Sequence, residues 1–212
     1  MEPKKVSKAV LKRLPGYLAY LKSLPDNAPP NISATTLANA LGMGEVQVRK
    51  DLAMVSDGGR PKIGYLRESL IDDIEQFLGY DNTTDAVLIG AGKLGQALCG
   101  YSGFKAYGLN ILAAFDIAPT LTETQEGTPI YPMEQLQSFC KTNKVLMGSI
   151  TVPAARAQEV CDQLIACGIK AVWSFATSHL DVPQGILVQY ENMATSLAVL
   201  SMHLQAQIKE NK

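Results

Sequence analysis

Residues 86–97 read AVLIGAGKLGQA, and this stretch decides how the rest of the chain is divided. A short apolar run, Ala86 to Ile89, passes straight into Gly90-Ala91-Gly92-Lys93-Leu94-Gly95 and then into a segment of helical character. That is G-x-G-x-x-G in the order strand, turn, helix, an arrangement that lets backbone approach a pyrophosphate. Gly90 permits the tight turn, Gly92 lets N–H groups and the helix dipole reach phosphate oxygens, and Gly95 lets the helix lie close on the strand. Asp116 ends the next apolar run about 20 residues on, where its carboxylate can accept hydrogen bonds from the adenine ribose hydroxyls. This favours NAD(H) over the 2′-phosphorylated cofactor; FAD or another adenine nucleotide also fits the pattern.

Downstream, strand and helix alternate. Apolar runs predict strands at Ala86–Ile89, Ile111–Phe115, Val145–Ile150 and Ala171–Phe175, the last ending the core. Amphipathic periodicity predicts helices at Leu94–Tyr101, Met133–Lys141 and Ala154–Cys167. Continuous apolar strands between such helices imply a parallel sheet covered on both faces, a doubly wound α/β domain. Thr151-Val152-Pro153 follows a strand end on the carboxyl side of that sheet and can line a nicotinamide pocket; it equally suits a plain strand exit with Pro153 opening the next helix. Met193, Leu197, Leu200 and Leu204 repeat at four- and three-residue steps, a C-terminal helix whose narrow apolar seam needs something to dock on.

Upstream of the glycine loop lies a segment of another kind. Ser7 to Leu24 has helical periodicity with an expected break or new first turn at Pro15, and Pro25–Asn31 is a loop. Ser33 can cap a short helix, Ala34–Leu41; after Gly42-Met43-Gly44 a second, Glu45–Val55, sends Val46, Val48, Leu52 and Val55 inward and Gln47, Arg49 and Lys50 outward. Two short helices about a glycine-containing turn suggest a helix-turn-helix. Ser56–Tyr65 has the glycines and proline of a tight hairpin with Arg60 and Lys62 near its tip, as in a basic wing, and a helix over Leu66–Leu78 follows. The polar link Gly79–Thr84 is the expected boundary, so the domains read as 1–80, 81–190 and a C-terminal helix, 191–212.

Charge follows the same division. The net charge is −1, but residues 1–65 carry 10 basic and 5 acidic side chains and residues 66–212 carry 9 and 15. A basic front attracts polyanions, which makes nucleic acid a partner for that part alone. No apolar run of about 18 residues is present to span a membrane, and the lysine-containing N-terminus lacks an apolar leader core, so a cytoplasmic address without a membrane partner is expected. Cys99, Cys140, Cys161 and Cys167 have no metal-ligand spacing.

Catalysis is poorly supported. His179 and His203 have no carboxylate partner in view and read as surface or packing residues. Tyr101 and Lys105 match Y-x-x-x-K, but the pair lies immediately after the glycine loop and encloses Gly103, so it reads as coincidence.

The succession of winged helix-turn-helix, GAGxLG domain and helical arm resembles the bacterial redox-sensing repressor Rex over nearly the whole chain. The residues carrying the resemblance are Lys12-Arg13-Leu14-Pro15, Val48-Arg49-Lys50-Asp51-Leu52, Ile63-Gly64-Tyr65, Gly90 to Gly95, Tyr101 with Gly103-Phe104, Ala113-Ala114-Phe115-Asp116, Thr151-Val152-Pro153 and Phe175-Ala176. The resemblance implies a homodimer that binds operator DNA and releases it when NADH occupies the nucleotide-binding domains, with the C-terminal helix exchanged between subunits. It implies DNA contacts by Ser33, Gln47, Arg49, Lys50, Arg60 and Lys62, and places Tyr101 near the nicotinamide. Two stretches depart from it: Met54–Gly59 replaces an aromatic, glycine-rich segment, and Asn192 stands where the family has an interface aspartate. The rival readings are an NAD-dependent oxidoreductase with an accessory helical domain and a winged-helix regulator sensing another nucleotide.

Overall fold

The computed structural model describes residues 7–80 and 84–210. The link residues 81–83 lie outside the described part. The chain divides into two compact units, Met1–Asn82 and Thr83–Lys212.

The first unit runs α1 (Lys8–Ser23), β1 (Asn31–Ile32), α2 (Ala34–Leu41), α3 (Glu45–Val55), β2 (Tyr65–Leu66) and α4 (Arg67–Leu78). α1 continues through Pro15 instead of breaking there. Pro15 removes one N–H, but Leu14, Tyr17, Leu18 and Leu21 are buried on either side of it, and tertiary packing of this kind outweighs a single lost hydrogen bond. α2 ends at Gly42 in the left-handed region, and the chain turns into α3. The expected hairpin closes only through Arg60 and Gly64, whose backbones exchange hydrogen bonds of 2.9 Å. β2 pairs instead with β1, antiparallel, Ile32 opposite Tyr65. Ser56 Oγ turns the chain early by accepting from the Gly58 N–H. The result is a helix-turn-helix with a short wing.

The inner stripe of α3 differs from expectation. Val48 and Leu52 are buried, but Val46 is 64 % exposed and the third buried residue is Asp51.

The second unit runs β3 (Thr84–Ile89), α5 (Lys93–Cys99), α6 (Gly103–Ala106), β4 (Leu109–Asp116), β5 (Ile130–Pro132), a 3-10 turn (Met133–Gln135), α7 (Leu136–Asn143), β6 (Met147–Ile150), α8 (Ala154–Ala166), β7 (Ala171–Ser174), β8 (Leu187–Tyr190) and α9 (Met193–Glu210). All strand pairs in its sheet are parallel, in the order β5-β4-β3-β6-β7-β8. In chain order within the unit this is 3-2-1-4-5-6, the doubly wound dinucleotide-binding topology. Side chains alternate across the sheet: Val87, Ile89, Ala113 and Phe115 face a core built with α7 and α8, while Leu88, Ala114 and Ile130 face Leu98 and Cys99 of α5. Phe175 does not end the sheet, because β8 adds an edge strand beyond it.

Among the described residues no helix is long and apolar enough to cross a membrane, and no cluster of His, Cys, Asp or Glu could hold a metal ion. The cysteines are free thiols; burial pushes Cys99 and Cys140 up to about 11, which keeps them protonated and poor nucleophiles.

Candidate functional site

Strand order reverses between β3 and β6, and the crevice at the carboxyl ends of those strands is where doubly wound folds take ligands. A cleft of about 620 Å³ opens there, within the usual range for small-molecule sites. Gly90, Gly92, Asp116, Thr151, Val152 and Pro153 all line it. Gly90 and Thr151, 61 residues apart in sequence, thus meet on one cavity.

The loop is braced from both sides. Thr151 Oγ1 donates to the carbonyls of Ile89 (3.0 Å) and Gly90 (2.8 Å), tying the end of β6 to the loop. Asp116 accepts from the N–H groups of Ala91 (2.8 Å) and Ala118 (3.1 Å), and a carboxylate has acceptor sites left over for ribose hydroxyls. Pro153 is the N-cap of α8, the strand exit into a helix that the sequence allows, and Thr151, Val152 and Pro153 also line the cleft.

The glycines of the loop divide by what they spare. Gly90 has φ +105°, and a Cβ there would meet Thr151 Oγ1 at 3.0 Å; a Cβ on Gly95 would collide with the Gly90 carbonyl. Those two serve the fold. Gly92 has φ −72°, and a Cβ there would meet nothing in the protein. Its missing side chain leaves room at the cleft beside the start of α5, where backbone N–H groups and the helix dipole favour an anion. A dinucleotide pyrophosphate fits that space.

Other walls of the cleft carry no motif. Met133 comes from the 3-10 turn, and Arg156, Glu159, Val160 and Gln163 form one face of α8, with Arg156 and Glu159 paired at 2.9 Å. Their three- and four-residue spacing is visible in the sequence, but only the strand order shows that this face meets the glycine loop. Ala91 lines a small adjoining pocket with Gln96 and Asp116, whereas Lys93, Leu94, Gly95 and Tyr101 do not line either cavity. Tyr101 is exposed and packs edge-on against Phe104, which in turn meets Trp173. Lys105 sits in the separate helix α6, so Tyr101 and Lys105 share no long helix. His179 Nδ1 lies 3.2 Å from the Tyr190 hydroxyl, and His203 is exposed on α9. Asn192 Oδ1 accepts from the N–H groups of Ala194 (3.0 Å) and Thr195 (3.3 Å), capping α9.

In the first unit, Gln47, Arg49 and Lys50 are exposed on α3, and Arg60 and Lys62 are exposed on the wing turn, Lys62 with φ 65°. Arg49 pairs with Glu45 one turn earlier. Ser33 caps α2, its Oγ accepting from the Thr36 N–H at 3.0 Å. Behind this face is a polar cluster that periodicity alone does not reveal. Asp51, 3 % exposed, accepts from Arg13 Nε (2.8 Å), Arg13 Nη2 (2.9 Å) and the Tyr17 hydroxyl (2.7 Å). Burial alone would raise the Asp51 pKa, but these hydrogen bonds hold it below the ordinary carboxylate value. Burial, with Asp51 alongside, pushes the Tyr17 hydroxyl up to about 12. The remaining Arg13 donors face the Gln47 amide, and because Arg13 can only donate, the amide atom 2.9 Å from Nη1 and 3.1 Å from Nη2 is assigned as Oε1.

A winged helix-turn-helix with exposed cations, followed by a doubly wound domain with a cleft at its glycine loop, defines a ligand-binding regulator of the winged-helix class. Comparison with known proteins narrows the class. Residues 5–53 match the family described as "Putative DNA-binding protein N-terminus" and residues 81–178 the family "CoA binding domain". The redox-sensing transcriptional repressor Rex of Porphyromonas gingivalis is 38 % identical over 197 residues, covering 92 % of this chain and 90 % of that protein. Rex of Clostridioides difficile is 37 % identical over 199 residues, covering 93 % and 95 %. A crystal structure of the Rex-family repressor RSP with β-NAD+ and operator DNA superposes with a TM-score of 0.87 at 33 % identity, covering 97 % of this chain and 95 % of that one. RSP with β-NADH gives 0.86 at 33 % identity, covering 99 % and 100 %. The chain belongs to the Rex family of redox-sensing transcriptional repressors.

Proposed function

We propose that this protein is a cytoplasmic repressor that binds operator DNA as a homodimer and releases it when NADH fills the cleft. The observation that carries the reading is the pairing, in one chain, of the exposed Arg49 and Lys50 on α3 with a cleft in which Gly92 leaves room for a ligand and relieves no clash within the fold. The relatives are repressors, and one of them is known with operator DNA and with either form of the nicotinamide dinucleotide.

Gly90 to Gly95 form the pyrophosphate turn, Asp116 takes the adenine ribose hydroxyls, and Thr151, Val152 and Pro153 border the nicotinamide, while Tyr101 lies outside the cleft, exposed beside Phe104. The oxidised nicotinamide is cationic and the reduced ring neutral, so an apolar wall disfavours NAD+ by desolvation and prefers NADH without chemistry. Ser33, Gln47, Arg49 and Lys50 meet the major groove and its phosphates, and Arg60 and Lys62 serve the wing. Residues 1–80 form the DNA-binding domain, 81–190 the nucleotide-binding domain and 191–212 the dimerisation arm. On α9 Leu197, Leu200 and Leu204 are exposed, and exchange of this helix between subunits would cover them.

Binding of both ligands to one preparation tests the reading. NADH and operator DNA should each weaken the other's binding by the same factor, because coupling free energies are reciprocal. Independent binding of the two would reject it.

A further inference from the structure

The outer face of α3 holds an apolar residue that the core does not use. Each helical step turns about 100°, so Val46, two residues before the buried Val48, lies on the far side of the helix. It is 64 % exposed there, beside Arg49 and Lys50. A single exposed valine is ordinary on a protein surface. This one occupies the first turn of the helix that carries the cations, the turn from which helix-turn-helix readers reach base edges. A valine in a helix keeps essentially one χ1 rotamer, so its methyls are presented in a fixed direction.

Gln47, the next residue, is restricted in a complementary way. Arg13 has donors only, so the Gln47 amide is assigned with Oε1 toward Arg13, which leaves Nε2 as the branch that does not face Arg13. Asp51 holds Arg13 in that position. Gln47 therefore lacks the free acceptor that a bidentate adenine contact requires. It is a donor alone.

A methyl-seeking group beside a donor matches one base edge. In the major groove thymine presents the O4 acceptor and the C5-methyl, whereas cytosine presents the N4 donor and no methyl. We propose that the first turn of α3 reads a thymine in each operator half-site, Val46 packing on its C5-methyl and Gln47 Nε2 donating to its O4. This rests on the operator-binding reading above.

The test uses the full chain to select its operator from randomised duplexes, then replaces each thymine of the selected site singly. Uracil removes only the methyl; 5-methylcytosine opposite guanine keeps the methyl and exchanges O4 for an amino donor. At one thymine per half-site, uracil should weaken binding about fourfold, the worth of one buried methyl. At the same thymine, 5-methylcytosine should weaken it about tenfold. Val46→Ser should erase the uracil penalty and leave the other, and Gln47→Ala the reverse. Val46→Ala, which favours the helix, should also reduce the uracil penalty. A uracil penalty that survives in Val46→Ser, penalties on different thymines, or no sensitive thymine at all would overturn the proposal. Failure of the full chain to enrich any sequence would instead reject operator binding itself, and the proposal with it.

Discussion

Arg13 on α1 and Asp51 on α3 meet across 38 residues of chain, with Nε and Nη2 donating at 2.8 and 2.9 Å to the two carboxylate oxygens. The pair fixes α3 against α1 and leaves Arg13 donors for Gln47. Asp51 is almost wholly buried, so removing Arg13 strands a charge in the core. Arg13→Ala should destabilise the first unit by about 3–5 kcal/mol in urea unfolding. A loss under about 1 kcal/mol would show that the pair does not hold the helices.

The same pair predicts an acid response. Asp51 has a folded pKa below its unfolded value, so its contribution is present above about pH 4 and is lost as pH falls through the folded value. The urea midpoint of the first unit should fall below about pH 4, and Asp51→Asn, already destabilised, should show a shallower fall. Parallel pH profiles for the two proteins would contradict this assignment.

Gly92 and Gly95 should behave oppositely although both belong to the loop. A Cβ at Gly92 meets no protein atom, so Gly92→Val should keep the unfolding midpoint close to that of the parent while abolishing NADH binding, read by fluorescence titration. A Cβ at Gly95 meets the Gly90 carbonyl, so Gly95→Ala should lower the unfolding midpoint first. Retained NADH binding in Gly92→Val would place the nucleotide elsewhere.

Arg49 and Lys50 should govern DNA affinity alone. Arg49→Gln with Lys50→Gln should weaken operator binding steeply and lower the salt dependence by about 0.9 in log–log slope for each phosphate no longer neutralised. NADH binding should be unchanged, since these side chains lie in the other unit. Loss of NADH binding in this variant would contradict the division of labour.

Much of the fold is legible in the sequence, for reasons that differ along the chain. The glycine loop and Asp116 stand out because backbone approach to phosphate demands glycine at fixed steps, and the four central strands because burial on both faces makes them continuously apolar. β5 and β8 do not. β5 is three residues long and ends in Pro132, and β8 is an edge strand with alternating exposure, so neither has the apolar run of a central strand. Valine is usually buried, which points Val46 inward, yet two helical steps of about 100° from Val48 carry it to the face opposite the Val48 and Leu52 stripe. Asp51 shares that stripe, and a charge on an apolar face is the available sign of a buried partner. Nothing in the periodicity of α1 could name Arg13 as that partner. The α8 wall of the cleft is hidden for a different reason: its residues are local, but the strand order that brings them to Gly92 is not.

The central claim is that occupancy of the cleft by NADH releases DNA. The direct measurement is operator binding by anisotropy at fixed salt, with NADH and NAD+ added in separate titrations. The account predicts that NADH lowers operator affinity about 5- to 150-fold, the usual span of coupling between sites, and that NAD+ at equal concentration leaves the complex largely intact. Equal release by both nucleotides, or by neither, would contradict it.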